Sequence, residues 1–378
     1  MSLLERDLGD TQPLHSPKTG KPTVTRVRSL AELDNIKAIW DSYSLLAEWA
    51  SPMQHHLWAR TYAEAYNVDS RLEVIIAGSG QATAIAPLLR TRGVGQSLEL
   101  VGVKELYEVM DFLYSDTSDV QALAATVAAT RLPIVLRRIR ESSAALTALR
   151  KAYRGNAIVF SRPGPGCPWI ALDDSWTEPE KQVNSGRRSD LRRARRNAEK
   201  IGPVTFEVLT PTREELPSLL EEIYRVEAAG WKGRDKTAML HDRSLGEFYQ
   251  RYASAASDRG MLRLCFLRIA GEAAAAQLAV VTGDRFWLFK IGYSEKFARY
   301  SPGVLLMVET IRYAVQAGLR SYEFLGAAEP WIRNWTNLEH ACSSFRAYPL
   351  NFRGVTALAI DAMAALTRRA RKNDRAND

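Results

Sequence analysis

The sequence predicts an α/β (α+β) fold made of two similar halves, each with a mixed central sheet flanked by helices. Three observations support this class. The order helix, helix, β-hairpin, strand, helix, strand occurs twice along the 378 residues. The apolar content of 46% is ample for packed cores at this length. The charged fraction of 25% is that of an ordinary globular protein.

The first half opens with an amphipathic helix pair and continues as alternating strands and helices. In the segment AELDNIKAIWDSYSLL, the apolar residues Leu33, Ile36, Trp40 and Tyr43 recur on one helical face. Strands are then expected at 71–78, 82–90, 97–102, 132–139 and near 156–161, and helices at 120–130 and near 142–153. The glycine- and proline-rich stretch 164–168 predicts a turn that ends this half.

The second half repeats the same order after a basic helical segment, 176–201. Strands are expected at 204–209, 261–271, 272–283, 285–293 and 321–326, and helices at 216–229, 244–260 and 303–318. The tail from 354 predicts an amphipathic helix with a basic end.

The positive charge of the chain favours anionic partners. The net charge is +8, and many of the cations are concentrated in the arginine-rich helix 187–196. Few aromatic residues lie between these arginines, and the sequence contains no known base-reading module. A nucleic-acid partner is therefore not favoured. The basic tail predicts at most peripheral contact with an anionic membrane. No apolar run resembles a signal peptide or a membrane span, which predicts a cytoplasmic protein, at most peripheral to the inner membrane.

The three cysteines do not indicate a redox or metal framework. Cys167, Cys265 and Cys342 are widely spaced along the chain. Such spacing favours neither a set of disulfides nor a zinc site, so no metal site is predicted.

The stretch 285–335 carries the strongest functional signal. A strand leads through a loop to a helix that starts at Ser301, Pro302, Gly303 and Val304, and a second strand and an aromatic segment follow. A helix start offers N–H groups without intrahelical partners and the positive end of the helix dipole, which together suit phosphate. Pro302 fits an early helical position and Gly303 permits close backbone approach.

Several blocks of the second half resemble, in order, the GNAT superfamily of acetyltransferases. They are LRRARRNAEKIG (191–202), VEAAGWKGRDKTAM (226–239), the helix and hairpin at 246–281, and KIGYSEKFARYSPGVLL (290–306). The resemblance is stronger to the cellulose-biosynthesis-associated (CelD/BcsL-like) branch, which is related to the FemAB peptidoglycan aminoacyltransferases. It implies tandem GNAT-like domains and acetyl-CoA or another acyl-CoA as co-substrate.

The resemblance also implies a division of the chain into five regions. They are a disordered N-terminal segment (1–22), a supporting GNAT-like domain (23–168), a basic inter-domain helix region (169–203), a donor-binding GNAT domain (204–352), and a basic amphipathic helix and tail (353–378).

The same resemblance suggests roles for particular residues. The strand 274–281 is expected to splay from its neighbour and to line the donor with Gln277, Leu278, Ala279 and Val280, which also polarise the carbonyl. Among the candidate bases Glu227, Glu295, Glu323 and His340, the strand-end residue Glu323 is preferred. Tyr293 and Tyr300 are the candidates for protonating the leaving thiolate.

Acceptor recognition is expected from aromatic and basic side chains in two loops. The candidates are Trp231, Lys232, Trp331, Arg333 and Trp335. The family often carries a Tyr-Lys pair before its last tryptophan. Here Arg333 occupies that neighbourhood, and because arginine stays charged it can hold phosphate but cannot act as a base.

The leading functional prediction is direct transfer of an acyl group from acyl-CoA to an amine or hydroxyl of a sugar, polysaccharide precursor or similar small acceptor. One alternative is a FemAB-like aminoacyltransferase that uses aminoacyl-tRNA, which the arginine helix favours. The other is a non-catalytic GNAT-fold scaffold in polysaccharide biosynthesis, which the departure around Arg333 favours.

Overall fold

The architecture is taken from a computed structural model, which describes residues 23–47, 51–78, 84–230 and 242–377. The segment 1–22, predicted to be disordered, lies outside these ranges. The described strands are β1 Thr23–Val27, β2 Val74–Gly78, β3 Ala84–Ala86, β4 Leu88–Arg90, β5 Leu98–Leu100, β6 Ile134–Arg140, β7 Ala157–Ala171, β8 Val204–Leu209, β9 Leu262–Ile269, β10 Glu272–Thr282, β11 Arg285–Tyr293, β12 Ser321–Glu323 and β13 Glu339–Pro349.

The helices surround these strands in the predicted order. They are α1 Leu30–Asn35, α2 Lys37–Leu46, α3 His56–Ala65, α4 Val103–Leu106, α5 Thr117–Ala129, α6 Ala144–Tyr153, α7 Ser185–Glu199, α8 Leu216–Ala228, α9 Arg243–Ser257, α10 Pro302–Gln316 and α11 Phe352–Asn377. Local signals fix several helix starts. The side chain of Asn184 accepts from the Arg187 N–H at 2.9 Å to begin α7, and Asp242 accepts from the Leu245 N–H at 3.0 Å to begin α9.

The strands form one large mixed sheet and one small sheet. Among the described residues, the large sheet has ten strands in the order β4-β5-β6-β13-β7-β12-β11-β10-β9-β8, and the small sheet has the order β1-β2-β3. Helices flank the large sheet, so the predicted α/β class is confirmed. Within the described parts of the chain, no helix is long and apolar enough to cross a membrane.

The large sheet opens between β11 and β12. These two strands are parallel and are paired only from Arg285–Ser321 to Trp287–Glu323. Beyond that point β11 continues alongside β10 to Tyr293, whereas β12 ends at Glu323. The register of β10 against β11 also shifts between Leu278 and Ala279, which is a β-bulge. The sheet is therefore divided by a wedge-shaped gap at the C-terminal end of β11.

The strand β13 joins the two halves and was not predicted from the sequence. It comes from the C-terminal half but pairs antiparallel with β6 and β7 of the first half. The turn predicted at 164–168 is wrong, because β7 continues through it to Ala171. Pairing with β13 keeps this stretch extended although its prolines have no N–H to donate. The proposed domain boundary near residue 168 thus falls inside a strand, and the division into domains stays a prediction.

Aromatic side chains from both halves also share one core. The indole of Trp58 in α3 contacts Phe248 and Tyr252 of α9 and Phe289 of β11, with ring centroids 4.8, 5.3 and 5.6 Å apart. All four side chains are buried. These contacts fix the position of α9 and β11, and therefore one wall of the gap in the sheet, against the first half of the chain.

Candidate active site

The helix start at Ser301 has the geometry of an anion site. Ser301 adopts a left-handed conformation, φ 48°, where a short 3-10 helix, Glu295–Tyr300, ends and α10 begins. The backbone carbonyl of Ser301 accepts from the N–H groups of Val304 and Leu305 at 3.0 and 3.1 Å. Pro302 occupies the first helical position, as predicted. The positive end of this 15-residue helix points into the gap between β11 and β12.

A cavity of about 400 Å³ occupies this gap. Seven residues predicted to belong to the site line it, namely Tyr293, Ser301, Pro302, Gly303, Val304, Trp331 and Trp335. Glu227, one of the four candidate bases, also lines it, and seven further residues complete its wall, namely Gly230, Ile291, Gly292, Ala298, Met307, Glu329 and Asn334. The cavity is mainly apolar with few polar groups, which is the usual character of a small-molecule site.

Glu227 contributes a buried carboxyl group to the cavity. It lies in the last turn of α8 and is only 3% exposed. The helix approaches β11 so closely that a Cβ added to Gly292 would lie 2.7 Å from the Glu227 Cα atom. Burial, followed by the charges of Glu108 and Glu227, raises the pKa of nearby Tyr249 well above its usual value. Its position makes Glu227 the strongest candidate for a base at this cavity.

Replacing Gly292 with alanine is expected to lower stability by about 1–3 kcal/mol, because the added methyl overlaps the α8 backbone and neither element can move freely. Gly303→Ala is the matched control, since its Cβ would meet the Tyr293 ring at an ordinary 3.5 Å. Thermal denaturation of both variants measures the difference. Equal melting temperatures would contradict the close contact between α8 and β11.

Glu323, the base preferred from the sequence, lies elsewhere. Its carboxylate accepts from the Ser321 hydroxyl at 2.7 Å, lies 3.4 Å from the Arg285 guanidinium and is 3.0 Å from Nε2 of His340. The imidazole of His340 stacks on Trp169 with ring centroids 4.8 Å apart. Glu323 is not among the residues that line the cavity. Its hydrogen bonds indicate a structural role where β12, β7 and β13 meet.

The strand predicted to line the donor does not border the gap. Gln277, Leu278, Ala279 and Val280 lie in β10, which is paired with β9 on one side and β11 on the other, so β10 does not splay. All four are buried, and Gln277 Nε2 lies 3.1 Å from the sulfur of Met307. The strand that borders the gap is β11, through Ile291, Gly292 and Tyr293. The prediction placed the exposed edge one strand too early.

The remaining predicted residues are divided among several environments. Tyr300 is buried in the core beneath the helix start and does not line the cavity. Arg333 forms an exposed ion pair with Glu339 at 3.2 Å and does not line it either. Trp331 lines the cavity, and its indole N–H donates to Glu329 at 2.7 Å. Trp231 and Lys232 lie outside the described residues, so their role stays a prediction.

A second, basic recess of about 250 Å³ borders the outer side of the helix start. Ser301 and Val304 line both the recess and the main cavity. The recess is also lined by Arg187 and Arg193 of α7 and by Arg299 of the preceding turn. Part of the arginine helix therefore faces the predicted phosphate-binding turn. The described residues that line the recess include more basic than acidic side chains. The acidic one is Asp190, which pairs with Arg193 at 2.7 Å.

Arg138 of the first half contacts the chain just before the segment that provides aromatic residues to the cavity. This buried residue of β6 donates to the Gly326 carbonyl and to the sulfur of Cys167, the latter at 2.8 Å. Gly326 precedes the segment that provides Glu329, Trp331 and Trp335 to the cavity. Sequence reasoning gave no role to Arg138, because its partner is 188 residues away.

A metal centre was not predicted. Within the ranges that the structure describes, no group of three or more His, Cys, Asp or Glu side chains is arranged to hold an ion. The polar groups of the cavity, Glu227, Glu329, Asn334, Ser301 and Tyr293, are those of acid–base and hydrogen-bonding chemistry.

Comparison with known proteins identifies the type of domain at this site. Residues 185–333 match the family model described as an acetyltransferase (GNAT) domain. The crystal structure of FemX has the same fold, with a TM-score of 0.57, 14% identity, and coverage of 83% of this chain and 96% of that one. No curated protein sequence matches this chain.

Two further solved structures share the fold. The C-terminal domain of a putative lysylphosphatidylglycerol synthetase from Agrobacterium fabrum has a TM-score of 0.52 at 15% identity and covers 85% of this chain and 96% of its own. A conserved protein of unknown function from Bacteroides thetaiotaomicron has a TM-score of 0.52 at 9% identity, with coverage of 86% and 99%. The helix start, the basic helix and most of the cavity wall thus lie within a GNAT acetyltransferase domain, matched over residues 185–333, in a chain with a FemX-like fold.

Proposed function

We propose that this protein transfers an acyl group directly from an acyl-CoA to an amine or hydroxyl of a sugar, polysaccharide precursor or similar small acceptor. The observation that carries the proposal is the cavity in which the start of α10, the bordering edge of β11 and the buried carboxyl of Glu227 meet. The GNAT match over residues 185–333 supports an acyltransferase, and the choice of CoA and of acceptor is our inference.

The donor is assigned to the side of the cavity formed by α10. Its pyrophosphate would accept a hydrogen bond from the Gly303 N–H and would lie at the positive end of the α10 dipole. Arg187, Arg193 and Arg299 in the neighbouring recess would neutralise further phosphate charge. The acyl arm would then lie along β11 beyond Trp287, where β12 no longer covers the sheet edge.

The chemistry follows from this placement. The acceptor nitrogen or oxygen attacks the thioester carbonyl carbon, and Glu227 takes the proton that the nucleophile loses. A backbone N–H of β11 polarises the carbonyl oxygen as charge develops on it. The carbon–sulfur bond then breaks, and the CoA thiolate takes a proton from the hydroxyl of Tyr293. No covalent acyl-enzyme forms in this scheme.

Charge reversal in the recess tests donor binding. Arg299→Glu is expected to weaken CoA binding about tenfold in calorimetry, because it puts a negative charge beside the phosphate turn. Lys151→Glu is the control, because it makes the same charge change on the exposed last turn of α6. Lys151 lines neither the cavity nor the basic recess, so this variant should bind CoA as the parent does. If the two variants bind CoA equally, or if the parent binds no acyl-CoA, the donor assignment is wrong.

A second candidate is aminoacyl transfer from aminoacyl-tRNA, which the arginines of α7 favour. Arg187 and Arg193 line the recess, while Arg192 and Arg196 lie on exposed positions of the same helix. Salt-sensitive binding of charged tRNA, without measurable binding of CoA, would favour this candidate over the first.

A further inference from the structure

The C-terminal helix α11 exposes an apolar surface. Phe352, Val355, Met363 and Leu366, here called the apolar stripe, are between 60% and 82% exposed. Their spacings from Phe352 are 3, 11 and 14 residues, which are close to whole turns of a helix and place them on one side. A stripe of large apolar side chains on one helical side is not the pattern of a simply solvated tail.

The opposite side of the same helix is firmly attached to the fold. Asp361 forms an ion pair with Arg346 at 2.9 Å and accepts from the hydroxyl of Tyr348, both in β13. Ala357 is buried, and Gly354 approaches the Pro349 carbonyl so closely that a Cβ would overlap it. The orientation of the stripe, away from β13, is therefore fixed by packing.

The sheet beside α11 adds further exposed apolar residues. Ile158 and Phe160 of β7 are each 40% exposed. They are register partners of Tyr348 and Arg346, the two β13 residues that contact Asp361. Since directly paired residues project from the same face of a sheet, Ile158 and Phe160 lie on the face that α11 covers.

The net positive charge of α11 indicates which kind of partner would bind this surface. The sequence of the helix, 352–377, carries six cations, namely Arg353, Arg368, Arg369, Arg371, Lys372 and Arg375, and two acids, Asp361 and Asp374. A second copy would bring the same excess of positive charge against itself. An anionic lipid surface offers an apolar environment to the stripe and negative charge to the excess of cations in this sequence.

We propose that α11 is an interfacial helix that docks the protein on anionic membrane surfaces, with the apolar stripe inserted at the boundary between headgroups and acyl chains. The proposal does not depend on the transfer reaction, because α11 contributes no residue to the cavity.

Vesicle sedimentation tests the docking with the full-length protein. The parent should sediment with vesicles of phosphatidylcholine and phosphatidylglycerol at about 0.15 M salt, much less at about 1 M salt, and not with phosphatidylcholine alone. Leu366→Glu should lower the bound fraction at least about tenfold, since it places a charge in the inserted stripe. Ala365→Glu makes the same charge change at an exposed position on the other side of the helix and should bind nearly as the parent does.

Other results would overturn the proposal. Equal binding by the Leu366→Glu and Ala365→Glu variants would show that the stripe does not insert. Absence of binding by the parent would exclude anionic lipid as the partner. A dimer of the parent in light scattering that Leu366→Glu alone converts to a monomer would identify a second copy as the occupant. Circular dichroism and melting temperature confirm that both variants are folded.

Discussion

Glu227→Gln is expected to reduce acyl transfer by about 10²–10⁴-fold while leaving CoA binding close to that of the parent protein. The side chain lines the cavity and is almost completely buried, and the amide keeps its shape while removing its capacity to accept a proton. Steady-state transfer to a panel of amino sugars gives the rate, and calorimetry with CoA gives the affinity. Loss of the rate with retained affinity is the signature of a base.

Glu323→Gln is the matched control for this experiment. Glu323 is as buried as Glu227, but it is bonded to Ser321, Arg285 and His340 rather than facing the cavity. The substitution should lower stability by about 1–3 kcal/mol because a charged acceptor in a buried network is lost. If instead Glu323→Gln abolishes transfer at full stability and Glu227→Gln does not, the base is Glu323.

Gly303→Trp is expected to abolish CoA binding, at least about 100-fold in affinity. The new side chain would fill much of the 400 Å³ cavity beside the helix start. The fold should survive, because a Cβ at this position would lie 3.5 Å from the ring of Tyr293, which is an ordinary contact distance. Calorimetry measures the binding, and thermal denaturation verifies the fold.

The same substitution distinguishes an enzyme from a scaffold. A folded Gly303→Trp protein that no longer binds CoA, but keeps the cellular role of the parent, would indicate a binding subunit rather than a transferase. Retained CoA binding by the folded variant would place the donor outside the cavity.

The sequence predicted those features that depend on local pattern. The order of helices and strands and the helix start at Ser301 follow from periodicity, Pro302 and Gly303, and the structure has them nearly as expected. Trp331 and Trp335, the aromatic candidates for acceptor recognition, line the cavity.

Features that depend on distant pairing were not predicted. The small alanines of β10 suggested an accessible strand, but whether a strand edge is covered depends on its neighbours, and β10 has one on each side. Glu227 and Glu323 are the same residue type and both are buried, and only their positions in the folded chain show that Glu227 lines the cavity and Glu323 does not. The strand β13 has a mixed polar sequence, EHACSSFRAYP, and is defined by pairing with β6 and β7.

The placement of β13 has a consequence for synthesis of the chain. During translation β6 and β7 emerge long before Glu339–Pro349, the strand that must lie between them. Until that strand leaves the ribosome, two sheet edges of the first half stay open to incorrect pairing. The first half therefore cannot complete its sheet until β13 has been synthesised, well after β6 and β7.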